Sequence, residues 1–334
     1  STCYTPQKKT QLWSWEIYWI SQASCAWLIL PILGAFLTIP NYLEVLAVCP
    51  KDAMLKSFLL GMLYGLGGLT FGLGIRYIGF SLNYAIAIGI SAGLGTLIPL
   101  IWDPNRGFNG SMAEKFNDLP GPIILSEIIL SLLGILVCGW AGALRERSSK
   151  ETSSPFSFHI GIPLAVTAGI LSAVFNFALI AGEPIEKAAL SAGAHELLRM
   201  NAIYPFSHGG AWVTNFIGCL VLMARNKTGS QLVHLPENSR KTLLMYYLMA
   251  LLSGMMWYFQ FFFYGMGHVN MGVRYGFTSW ALHMAMLILF SNLYGKLFHE
   301  WDGAGTMPVR VLHAGMAIIV LASLVITYGN YLGG

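Results

Sequence analysis

Charged residues are spaced along the chain so that nine long runs are left almost without Lys, Arg, Asp or Glu: 15 to 39, 57 to 75, 77 to 101, 122 to 143, 160 to 181, 202 to 224, 243 to 267, 271 to 294 and 309 to 331. A helix of roughly 20 residues crosses a hydrocarbon layer of about 30 Å. The pattern therefore predicts an all-α integral membrane protein, with polar side chains inside the runs as its exceptions. Those exceptions concentrate between 257 and 283, where Trp-Tyr-Phe-Gln-Phe-Phe-Phe-Tyr-Gly-Met-Gly-His is followed, after a short connection, by Val-Arg-Tyr-Gly-Phe-Thr-Ser-Trp-Ala-Leu-His. Lipid leaves the hydrogen bonds of such groups unmade, so they must face a protein interior or a watery cavity.

Helical spacing groups them. Trp257, Gln260 and Tyr264 stand at i, i+3 and i+7, one stripe that offers flat apolar faces beside an amide and a hydroxyl. Sugars suit that surface, since their C–H faces stack on aromatic rings and their hydroxyls take neutral donors and acceptors. The competing reading is an aromatic packing face with a glutamine bridging helices. Trp280 and His283 are three apart and share a face, with Arg274 and, on an earlier run, Asn83 expected nearby. His283 is a candidate proton carrier, because histidine titrates nearest neutrality, or else a neutral link between helices. Glu127 is the one carboxylate deep in a run, read either as a second proton site or as a residue reaching the outer interface. Glu16 lies near a run's end and reads as an interfacial anchor. Asn176 and Asn215 either lock helices together or touch solute, while His208 and His313 lie nearer run ends and read as structural.

Loop charge sets orientation. Lys8, Lys9, Arg76, Arg145, Arg147, Lys150, Arg225, Lys227, Arg240, Lys241, Lys296 and Arg310 fall on one side; Lys51, Lys56, Arg106, Lys115, Lys187 and Arg199 fall on the other. The first group belongs in the cytoplasm. An internal repeat appears at an offset of 193 residues, where Gly61-Met62, Gly72, Gly74 and Gly79 align with Gly254-Met255, Gly265, Gly267 and Gly272. The aligned segments are an odd number of spans apart, so the copies are antiparallel, as in many transporters. The expected halves are 1–150 and 151–334. Two five-span halves need ten spans, and Ser1 to Pro6 reads as the end of one that begins upstream; the alternative is a true nine-span protein, with the first half a helix short. Gly61, Gly65, Gly68 and Gly72 form a stripe for close helix contact; Tyr258 and Phe261 replace two of them in the second copy.

Composition narrows the function further. Of 334 residues, 55% are apolar and 10% charged, with mean hydropathy +0.61. The net charge of +4 is scattered, which argues against a nucleic-acid partner. Cys3, Cys25, Cys49, Cys138 and Cys219 lack metal-ligand or disulfide spacing and read as packing residues. No nucleotide loop, nucleophile elbow or metal-ligand helix is present, so neither an enzyme nor a cofactor or metal is expected. Asn109-Gly-Ser111 and Asn226-Lys-Thr228 match the glycosylation pattern, but that pattern is common by chance.

Trp-Ser-Trp-Glu at 13 to 16, Arg76-Tyr77 with Gly79, Ala-Ile-Ala-Ile-Gly at 85 to 89, Trp257-Tyr258 with Gln260-Phe-Phe-Phe-Tyr264, Gly267-His268, and Ser279-Trp280 with Leu282-His283-Met284 resemble the bacterial L-rhamnose/proton symporters of the drug/metabolite transporter superfamily. The likeness runs along essentially the whole chain. It implies a ten-span fold of two inverted five-helix repeats, with the first span truncated here, and proton-driven uptake of a deoxyhexose across the bacterial inner membrane by a monomer or homodimer. The chain departs from the family pattern at Arg274, Gly276 and Asn83. Uptake of another sugar, or use of another coupling ion, therefore stays open beside rhamnose and protons, as does a membrane-embedded enzyme acting on a lipid-linked sugar.

Overall fold

The computed structural model describes residues 2–78, 80–105, 107–108, 121–148, 157–235, 240–272, 278–299 and 301–333. Among these the chain is helical apart from short connections and one antiparallel pairing of Trp102–Asp103 with Gly107–Phe108. The helices are α1 (Trp15–Thr38), α2 (Tyr42–Val48), α3 (Lys51–Ile78), α4 (Phe80–Ile101), α5 (Gly121–Ser148), α6 (Phe158–Ala181), α7 (Glu183–Ser191), α8 (Tyr204–Asn226), α9 (Arg240–Asn270), α10 (Ser279–Leu297) and α11 (Thr306–Gly333). Eight segments of the described residues are long and apolar enough to span a membrane, matching eight of the nine expected runs. The ninth, 271 to 294, contains α10, but residues 273–277 lie outside the described residues, Arg274 and Gly276 among them. Thr2–Lys9 forms a 3₁₀ helix where the end of a further span was expected.

Chain contacts divide the molecule into two compact units. One comprises Ser1–Leu66 with Ala178–Asn270, the other Gly67–Phe177 with Met271–Gly334. Each takes helices from before and after residue 150, and α3 and α6 contribute to both.

In the first unit α1 lies along α9 and the start of α3 lies along α8. Both contacts are set by glycine. A Cβ at Gly254 would run into the Cβ and Sγ of Cys25 and the carbonyl oxygen of Gln22. One at Gly61 would collide with the carbonyl of Ser207, and one at Gly210 with that of Phe58. Without side chains in the way, backbones approach closely and dispersion contacts accumulate, which is how helices associate where lipid removes the hydrophobic drive. Successive contacts run in the same direction on both partners. Just before α1, Trp13 meets Tyr246 and Tyr247 of α9; further along, the Tyr18 hydroxyl hydrogen-bonds that of Ser253, and Trp27 meets Trp257. On α3 and α8, the Thr214 hydroxyl donates to the Met62 carbonyl at 2.9 Å and Asn215 Nδ2 to the Gly65 carbonyl at 3.1 Å. Asn215 thus locks helices rather than facing solute: its Oδ1 also accepts from Trp19 Nε1 at 2.9 Å.

Glu16 corrects its expected role. It is 4% exposed, and its Oε1 accepts from Asn226 Nδ2 at 3.0 Å and Thr228 Oγ1 at 2.7 Å, so it ties α1 to the end of α8 instead of reaching for headgroups. The two polar side chains of the glycosylation-like triplet at 226 to 228 are therefore structural ligands of a carboxylate; the triplet Asn109-Gly-Ser111 lies outside the described residues.

In the second unit α5 and α11 run antiparallel. Gly134 abuts Ile319 and Gly315, Gly315 abuts Cys138, and Gly329 abuts Ile123. Beside them Ile128 and Ile326 form a core with Leu97, Leu132, Met271 and Leu282. Asn176 Nδ2 on α6 donates to the Gly95 carbonyl on α4 at 2.7 Å, again a lock between helices. All five cysteines are buried and free, as packing residues should be.

Candidate functional site

The stripe on α9 is real as geometry. Trp257 and Tyr264 are 6% and 7% exposed and flank Phe261, at ring-centroid distances of 4.8 and 6.2 Å, while Gln260 between them is only half-buried. Trp257 continues into a wall of rings within the first unit. Trp27 lies 5.2 Å away edge to face, and His208 lies 5.5 Å away in the same manner. His208 is fully buried and also packs on Tyr204 and Phe261 at 5.0 and 5.2 Å. A histidine read from its position as structural is thus part of the aromatic surround of Trp257.

In the second unit Trp280 and His283 share one face of α10, their rings 6.0 Å apart. Trp280 is 1% exposed, its indole N–H donates to the Ser91 carbonyl at 3.0 Å, and it fills the space left by Gly95 on α4. It therefore pins α10 to α4 and holds the face from which the half-buried His283 projects. Asn83 is fully buried; its Nδ2 donates to the Phe71 carbonyl at 3.0 Å, and its Oδ1 occupies the space beside Gly74. Glu127 does not reach an interface. It is fully buried, with one carboxyl oxygen accepting from Ser131 Oγ at 2.9 Å and the other, Oε2, without a hydrogen-bond partner among the described residues. A carboxylate so placed needs a proton or a cation to offset its desolvation. Arg274 lies outside the described residues.

Gln22 and Trp27 on α1 were not singled out from the sequence, yet both are buried with side-chain polar atoms that have no hydrogen-bond partner among the described residues. The signal was available: Gln22 is an amide in mid-run, the same kind of exception as Asn83, but it stands far in sequence from the conspicuous stretch at 257 to 283.

The family model for the L-rhamnose-proton symport protein matches residues 1–331. The chain belongs to that family. It is 34% identical to the L-rhamnose-proton symporter of Mannheimia succiniciproducens over 98% of this chain and 93% of the relative. Identity is 33% to that of Pectobacterium atrosepticum and 34% to that of Escherichia coli O1:K1 / APEC, with the same coverage. Membership along the whole length makes this chain a transporter rather than an enzyme, and a multi-pass protein of the bacterial inner membrane.

Proposed function

We propose that the protein takes up a deoxyhexose such as L-rhamnose together with a proton, as a secondary active transporter working by alternating access. The family match over residues 1–331 carries this reading, and the chemistry of the buried polar groups agrees with it. In the first unit the aromatic faces of Trp257 and Tyr264 with the amide of Gln260 suit a neutral polyol. In the second, Asn83, Trp280 and His283 offer neutral hydrogen-bonding groups, with Arg274 assigned to the sugar from sequence alone. The proton is assigned to His283 and Glu127.

The fold that goes with this reading is ten spans in two inverted halves, 1–150 and 151–334. Helix pairing inside each unit supports it. Gly61 and Gly254 are 193 residues apart, and each lies against the spanning helix that precedes the other: Gly61 against α8, Gly254 against α1. In the second unit α5 and α11, each the last span of its half, cross antiparallel at Gly134 and Gly315. An in-plane two-fold relation between halves generates both arrangements.

Purified protein in liposomes loaded with a pH-sensitive dye tests the function. L-Rhamnose added outside should acidify the lumen and accumulate there under an imposed inward proton gradient. Sugar entry without lumenal acidification would remove proton coupling; entry of a different sugar alone would reassign the substrate.

A further inference from the structure

Within the first unit, one place combines buried hydrogen-bonding atoms that the protein leaves unused with an aromatic wall. Gln22 is fully buried, and neither Oε1 nor Nε2 of its amide has a hydrogen-bond partner among the described residues; Trp27 is 3% exposed, and its Nε1 is likewise without one. Three such atoms in an apolar interior are costly, because each forfeits its bond to water and gains nothing in return. Native interiors keep groups of this kind where something outside the chain satisfies them.

The stretch of α1 that carries them is irregular. Ser24–Ile29 is a turn of π-helix, in which the Leu30 N–H donates to the Cys25 carbonyl five residues back. Widened turns of this kind recur at functional sites. Trp27 lies within that turn and Gln22 two residues before it, and both stand along α9. Tyr18, one turn before Gln22, reaches Ser253; the Gln22 carbonyl and Cys25 back onto Gly254; Trp27 meets Trp257. Gln22 thus sits between the Tyr18–Ser253 contact and the Trp27–Trp257 contact. Tyr64, 6.4 Å from Trp27, and His208, 5.5 Å from Trp257, complete the surround.

We infer that Gln22 and Trp27 bind the transported sugar and determine which sugar it is, Gln22 bridging two neighbouring hydroxyls through its amide and Trp27 donating its indole N–H to a third oxygen. The inference rests on the proposed function and extends it to α1. A neutral amide can donate and accept at once, which matches a vicinal diol, and it repels neither member of a sugar–proton pair. Trp257 supplies the flat face for the ring's C–H surface.

The test pairs Gln22→Met with Trp27→Phe in purified protein, reading thermal stability with and without L-rhamnose, affinity by titration calorimetry, and counterflow in proteoliposomes. A hydrogen-bonding role requires that affinity fall by about tenfold or more in each variant. The melting temperature of Gln22→Met without sugar should meanwhile hold or rise, since an unsatisfied buried amide has been removed. A structural glutamine gives the opposite pair of results: a lower melting temperature and unchanged affinity. If Gln22→Met fails to fold, Trp27→Phe decides alone, and wild-type affinity in that variant overturns the assignment. If wild-type protein itself neither binds nor exchanges any deoxyhexose, hexose or pentose, the transport reading falls and this one with it; if wild type works and both variants match it, only the present inference falls.

Discussion

Asn215 joins three helices through one side chain. It accepts from Trp19 on α1, donates to the Gly65 carbonyl on α3, and also donates to Ala211 on its own helix at 2.9 Å. Interhelical hydrogen bonds in membrane proteins contribute about 0.6 kcal/mol each on average, and more where the partner is left unsatisfied. Asn215→Ala should therefore lower unfolding free energy by about 1–2 kcal/mol, measurable by unfolding in detergent, with sugar affinity unchanged. Glu127 has a different prospect. Glu127→Gln retains the size and an acceptor for Ser131 but removes the exchangeable proton, so uphill accumulation should disappear while counterflow, which needs no net proton movement, continues. Loss of both would make Glu127 structural. Which polar residues are exceptional was legible from their position in apolar runs; what each one bonds to was not. Asn83, Asn176, Asn215 and Gln22 look alike in sequence, and three of them are distinguished only because a backbone carbonyl of another helix lies within reach.

Whether a glycine matters depends on what faces it. Gly61 meets the backbone of α8, whereas Gly267, near the end of α9, has nothing within reach of an added Cβ. Gly61→Val should cost about 1–3 kcal/mol by overpacking, and Gly267→Ala should be neutral or stabilising by up to about 1 kcal/mol from helix propensity. Melting temperatures of the two variants check both signs at once. Two glycines of the stripe bear out a close approach on α3, Gly61 against Ser207 and Gly65 against Ala211 and Asn215. The π turn in α1 does have a local mark: Pro31 follows it and lacks the N–H that would bond the Trp27 carbonyl four residues back. What the sequence did not tell is which helix the widened turn meets.

Eight of the nine expected spans, and their order, were readable because a membrane imposes length and composition on each one. The division into two contact units was not readable, since it cuts α3 after Leu66 and α6 after Phe177, where the apolar pattern is unbroken. Loop charge makes a sided prediction. With every native thiol buried, Lys187→Cys and Lys227→Cys should react with a membrane-impermeant maleimide from opposite sides, 227 from the cytoplasm and 187 from the periplasm. Labelling of both from one face would refute the topology.

Where α5 crosses α11, Gly134 and Gly315 press against each other, backbone to backbone. The carbonyl oxygen of each glycine lies 3.2 Å from where the other's Cβ would stand, so the crossing constrains both positions alike. Neither codon can drift by itself: bulk gained at one position must be answered by room made at the other, and substitutions tolerated in this transporter over time should therefore arrive there in pairs.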